Sequence, residues 1–188
     1  MTGTISLREK LQPTPAPYQF TDGDLARDGN QRFGFTFAYP KSWTRTDPAN
    51  ADGDTYTAPT MDPTPAKFFV YGSNRAPWLD ELSFIKERSR GKIIQQRDAG
   101  THIWSFCDQN GQQTETQEQI PGKLAQYEYF DQQSKRTTTG LIEFAELQDR
   151  VIAAVGEAPS SGYPAYDNLF RRLLAEVHPL KTLSGVAC

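Results

Sequence analysis

The sequence predicts an α+β sandwich, built in the order strands, helix, strands, helix with mostly hairpin links, and three observations carry that reading. Phe33, Phe35, Phe37 and Tyr39 alternate with Gly34, Thr36 and Ala38, the period of a strand. The runs from Lys67 to Gly72 and from Arg150 to Gly156 are apolar on both faces, as covered strands are. Near the end of the chain, Tyr166, Leu169, Phe170, Leu173, Leu174 and Val177 recur at helical spacing. The chain has 188 residues, room for one domain and marginal for two. Its 37% hydrophobic content, with 11 Phe, 8 Tyr and 3 Trp, excludes a wholly disordered chain.

Each element can be justified in order. Residues 1–31 read as a flexible arm, because the stretch from Gln12 to Pro17 alternates proline with other residues and favours extended backbone. Tyr18 and Phe20 are the residues that would pin it to the domain. The domain, 32–180, opens on the alternating strand, which Pro40 ends, and Trp43 begins a short continuation. A loop rich in Pro, Asp, Asn and Gly runs from Asp47 to Asp54, a strand from Asp54 to Ala58, and a second loop from Pro59 to Pro65. After the covered strand at Lys67, Pro77 starts a helical pattern with Trp78, Leu82, Ile85 and Ser89 on one stripe, ended by Gly91. Short strands follow from Ile93 to Asp98 and from Thr101 to Asp108. Asn110-Gly111 is a hairpin turn signal, with Gln113 to Ile120 as the return strand.

Three further strands, Lys123 to Asp131, Thr137 to Gln148 and Arg150 to Gly156, are joined by short polar turns. In the last of them Val151, Ala153 and Val155 face one way and Ile152 and Ala154 the other, which makes it central. The closing helix carries Asp167 with Arg171 and Arg172 with Glu176 as opposite-charge pairs on its wet side. Residues 181–188 form a tail.

With 20 Lys plus Arg against 23 Asp plus Glu the net charge is −3, so a global basic field for nucleic acid is absent. Cys107 and Cys188 fit no zinc or redox spacing; a small core hydrophobe and a thiol on a frayed tail are better readings than a disulfide closing a long loop. Met1 to Lys10 lacks the apolar region of a secretory signal, and no stretch is long enough to span a bilayer. Either the protein is cytoplasmic or a leader has been removed; the second, extracytoplasmic location is favoured.

The segment Arg32-Phe-Gly-Phe-Thr-Phe-Ala-Tyr-Pro-Lys-Ser-Trp43 resembles the opening of PsbP-like domains, a phenylalanine-rich strand followed by Pro and Trp. Gly122 to Tyr129, two further strands and the closing helix from Tyr166 to Val177 are also similar to that group, so the resemblance spans about Arg32 to Pro179. The group includes photosystem PsbP, a yeast Ran-binding import factor and bacterial DcrB-like lipoprotein domains. The resemblance implies an antiparallel sheet between helices, and a role in binding or assembling other proteins rather than in catalysis.

The chemistry-bearing residues agree with that expectation. No phosphate-binding glycine loop and no nucleophile elbow occurs. Of the two histidines, His178 before Pro179 suits the end of a helix dipole, while His102 and Cys107 point to opposite faces of one strand. Asp52 and Asp54, with Asp47 and Asp62, are the metal candidates, since calcium needs converging oxygens; turn chemistry explains the same residues. Glu128, Glu143 and Glu146 lie on adjacent strands and form a candidate carboxylate pair. Lys86, Arg88, Arg90, Lys92 and Arg97 are the densest positive stretch and the candidate contact for an acidic protein partner, against the plainer reading of a solvated face. A pocket lined by Trp104, Tyr127, Tyr129 and Glu128 is the basis of the rival reading, a small-molecule or carbohydrate binder or hydrolase. No cofactor is expected, and the partner expected is a protein.

Overall fold

The computed structural model describes residues 15–46, 52–59, 64–74, 93–104, 120–147 and 149–180. Ten strands and one α-helix are found in these residues, arranged as two antiparallel sheets. The larger has the order β3 (Thr44–Thr46), β4 (Gly53–Thr57), β5 (Lys67–Asn74), β9 (Arg150–Pro159), β8 (Arg136–Glu146), β7 (Ile120–Asp131) and β6 (Ile93–Trp104). The smaller has the order β1 (Leu25–Asn30), β2 (Phe35–Pro40) and β10 (His178–Pro179). The helix, α1, spans Tyr163–Ala175 with a proline in its first turn, where a missing N–H costs nothing.

The double-faced apolar run of β9 places it at the centre of the large sheet, between β5 and β8, as expected. Strand alternation then divides the core in two. On the first face Tyr56, Phe68, Val70, Leu141, Ala145, Ile152 and Ala154 pack with Phe35, Phe37, Trp43 and the apolar side of α1. On the second face Phe69, Ile142, Phe144, Val151, Ala153 and Val155 form a separate buried cluster. Phe35, Phe37, Val70, Ile152 and Phe170 are all at 0% exposure, as the periodicity predicts. Helix and sheet meet closely because Gly156 has no side chain: a Cβ there would lie 2.2 Å from Cγ of Phe170.

Three expectations about the elements change. Among the described residues α1 is the only α-helix, and it lies on the first face, so helices on both faces are not found there; the helix read from Pro77 falls outside the described residues. The arm gives way before residue 31. Tyr18 donates its N–H to the Ala165 carbonyl at 2.7 Å, its ring stacks on Tyr166 at 5.4 Å, and Leu25–Asn30 is a strand paired along its length with β2. That strand shows no apolar alternation because it sits at an edge and is half exposed, held by backbone bonds rather than by buried side chains. Finally, the two short strands expected between Ile93 and Asp108 are one strand as far as Trp104. Its register shifts twice, at Ile93/Gln95 and at Asp98/Gly100; at the second, Gly100 takes φ +110° and Asp98 Oδ1 accepts its N–H at 2.8 Å.

His178 is not a helix-end cap. It is a buried strand residue opposite Thr36, with Nε2 3.9 Å from Glu176 Oε2. Glu176 instead gathers the charges near the end of α1, pairing with Arg27 at 2.5 Å and Arg172 at 2.7 Å. The expected Asp167–Arg171 pair forms at 2.9 Å.

Candidate functional site

Among the described residues the first face of the large sheet is covered unequally. The small sheet lies over β3 to β5: Phe33 occupies the space above Gly72, Phe37 is 5.9 Å from Tyr56, and Tyr39 stacks on Tyr56 at 4.2 Å. The helix lies over β9 and β8. Neither contributes a lining residue to the cleft over β7 and β6, and there the first-face side chains turn polar. Gln126 and Glu128 follow Leu124 on β7, and Gln95 and Arg97 stand opposite them on β6.

These residues, with Thr139 of β8 and Tyr127, line a cleft of about 200 Å³. Register sets it out in two rows. Arg97 pairs with Gln126 across the strands, and one step along the same face Gln95 pairs with Glu128, whose other neighbour is Thr139. Arg97 donates from Nε to Gln126 Oε1 at 2.9 Å and from Nη2 to the same oxygen, so a neutral amide holds the guanidinium. Glu128 Oε1 accepts from Ser160 Oγ at 2.8 Å. Since Ser160 gives its proton to the carboxylate, the Thr139 hydroxyl 2.7 Å away donates to Ser160, a relay of fixed direction. Arg97 and Glu128 thus share a cleft without pairing, and neither has an ion-pair partner among the described residues. Beside the cleft stands Tyr163, at the start of α1, whose OH donates to Asp167 at 3.0 Å. Burial lifts the Tyr163 phenol well above its ordinary range; Asp167 adds to that, and Arg171 and Arg97 oppose it.

The sequence candidates scatter over this frame. Of the basic stretch, Arg97 enters the cleft, while Lys86, Arg88, Arg90 and Lys92 lie outside the described residues. The pocket expected from Trp104, Tyr127, Tyr129 and Glu128 does not assemble. Glu128 faces the cleft, but Tyr127 and Tyr129 are on the second face, their rings stacked at 6.1 Å, with Tyr127 Oη donating to buried Glu157 across Gly140. Neighbours on a strand point apart, and that separates them. Trp104 lies at the far end of β6, its backbone opposite Ile120. The carboxylate pair also dissolves: Glu146 is on the second face, and Glu143 lies four residues along its strand from Thr139, the neighbour of Glu128. Asp52 and Asp54 each meet an arginine, Arg32 and Arg45 (2.5 Å) respectively, so guanidinium groups stand where a metal would need to approach. Asp47, Asp62, Cys107 and Cys188 are outside the described residues, and no group of three or more potential metal ligands occurs among those described.

Sequence reasoning missed Gln95, Gln126, Thr139 and Ser160. The available signal was the break in the apolar face of β7 at Gln126 and Glu128, between Leu124 and Phe130, while Ala125 and Tyr127 on the other face stay buried. A second cleft, about 330 Å³, opens beside the small sheet and is lined by Arg27, Asp28, Gly29, Asn30, Gln31, Phe35, Thr36 and Leu180.

No family model and no curated protein matches the chain. Several solved structures do. A cyanobacterial PsbP from Synechocystis aligns over 89% of this chain and 99% of its own, with TM-score 0.47 and 13% identity. LpqN of Mycobacterium tuberculosis, described as involved in cell envelope biogenesis, aligns over 86% and 97%, with TM-score 0.49 and 12% identity. A Pseudomonas aeruginosa protein of unknown function, described as a putative regulator, aligns over 78% and 92%, with TM-score 0.45 and 13% identity. The first of these belongs to the group that the opening Phe-rich strand resembles. All three TM-scores lie below 0.5, and they carry no argument about what this chain does.

Proposed function

We propose that this chain is a non-catalytic binding or assembly domain that engages a protein partner through the polar cleft on its first face. The observation that supports this most is the pairing of Arg97 and Glu128 with neutral side chains instead of with each other, which keeps two opposite charges available in one cleft. A charge held in place by its neighbours loses little freedom on binding, so more of its interaction energy goes into the complex. The floor is rigid, because β7 and β8 are paired along nine residue positions. The positive stretch from Lys86 to Lys92 leads in sequence directly to Arg97, and together they would steer an acidic partner toward the cleft. The resemblance to PsbP-like domains supports assembly rather than catalysis, and with it an envelope location outside the cytoplasm. No helix among the described residues is long and apolar enough to cross a membrane.

The test is recovery of partners from native lysate at low salt by wild type, Arg97→Glu, and Arg88→Glu/Arg90→Glu. Arg97→Glu is expected to reduce recovery at least tenfold, about 1.4 kcal/mol of binding, with partial rescue by Arg97→Lys. Equal recovery by wild type and Arg97→Glu would remove the cleft from the account.

A further inference from the structure

The spacing of the two charges in the cleft specifies what a partner must present. Arg97 on β6 and Glu128 on β7 lie in successive rows of one face, two residues apart along the strand direction. As diagonal neighbours on adjacent strands they stand about 7–8 Å apart. An extended peptide running along that diagonal projects its residues i and i+2 from one side about 7 Å apart, a close match. We infer that the cleft takes an extended segment of the partner carrying an acidic and a basic side chain two residues apart, the acid on Arg97 and the base on Glu128. This rests on the binding role proposed above and names the ligand chemistry of that same site.

The geometry supports both ends of the contact. Arg97 commits Nε and Nη2 to Gln126 and keeps Nη1 for a carboxylate. Glu128 commits Oε1 to Ser160 and keeps Oε2 for an ammonium or guanidinium group. Gln95 and Gln126 flank the line between the two charges, so that their amide N–H groups stand beside the backbone of a crossing segment. Two charges of one sign would have suited a polyanion; opposite signs in adjacent rows reject it and select a mixed segment instead.

The experiment titrates the labelled full-length chain with two capped peptides of identical composition and follows amide shifts by NMR at low salt. One peptide has glutamate and lysine two residues apart in a serine-threonine background; the other has them adjacent, so that they project to opposite sides. The first should shift Gln95, Arg97, Gln126 and Glu128 in a saturable way. The second should bind at least threefold more weakly. Arg97→Gln and Glu128→Gln should each weaken the first peptide about tenfold, the loss of one charge-assisted hydrogen bond. The reversal Arg97→Glu/Glu128→Arg should restore binding, since the peptide can lie the other way. Equal affinity for the two peptides, no saturable shift in the cleft, or insensitivity to Glu128→Gln would overturn the inference. If Arg97→Glu abolishes partner recovery while both peptides bind alike, the partner-binding role stands and the spacing rule falls. If the spacing rule holds and partner recovery ignores Arg97, the partner-binding role falls.

Discussion

Replacing Phe170 with alanine is expected to destabilise the protein by about 3–5 kcal/mol. The ring has no exposure and seats on Gly156, and its centroid lies 5.8 Å from Tyr163, 5.8 Å from Tyr166 and 6.5 Å from Trp43. Removing it leaves a cavity lined by aromatic groups that cannot collapse, because the β9 backbone beneath is fixed in the sheet. The cavity also loosens Tyr18, which stacks on Tyr166, so the amino-terminal segment should detach at lower denaturant than the rest. A urea melt checks the magnitude; a loss below about 1 kcal/mol would mean that α1 does not seat where it is placed.

The second large effect belongs to Arg150, a buried arginine at the start of β9. Its Nη2 donates to the Leu180 carbonyl at 2.7 Å and lies 3.5 Å from that of Gly34, while Nη1 pairs with exposed Asp149 at 2.7 Å. One side chain thus ties the large sheet to both the β10 end and the turn before β2. Arg150→Ala removes a charged donor and leaves a buried carbonyl unsatisfied, at a cost of about 2–3 kcal/mol. Asp149 contributes little to that figure, being 61% exposed. Arg150→Met keeps most of the stem and isolates the hydrogen-bonding part of the loss. Exchange of the Leu180 amide, which donates to Gly34 at 2.8 Å, should accelerate in both variants. Unchanged stability in Arg150→Met would assign the residue to stem burial alone.

What the sequence made legible follows from how each residue earns its place. β5, β9 and α1 are set by apolar burial on two faces or one stripe, and such patterns are written in residue type. β1 is not: Leu25-Ala-Arg-Asp-Gly-Asn30 is a strand only because β2 offers it a row of backbone partners, an interaction that side chains do not encode. The bulge at Asp98/Gly100 in β6 hid in the same way, with those residues reading as a turn between two strands. At the cleft, Arg97 and Glu128 were legible as charges but not as neighbours. Their meeting depends on the register of β6 against β7, and Ser160 reaches Glu128 from the turn before α1, 32 residues away. Strand alternation alone sets Glu128 on the face opposite Tyr127 and Tyr129.

The central claim is that partners dock in the polar cleft on the first face, and site-specific photocrosslinking tests it most directly. A photoreactive residue at Gln95, in the cleft, is compared in native lysate with one at Asn168, on the exposed side of α1. The account predicts a discrete crosslinked protein from position 95 that disappears when Arg97→Glu is added, and none from position 168. Equal crosslinking from both positions, or a product confined to position 168, would contradict it.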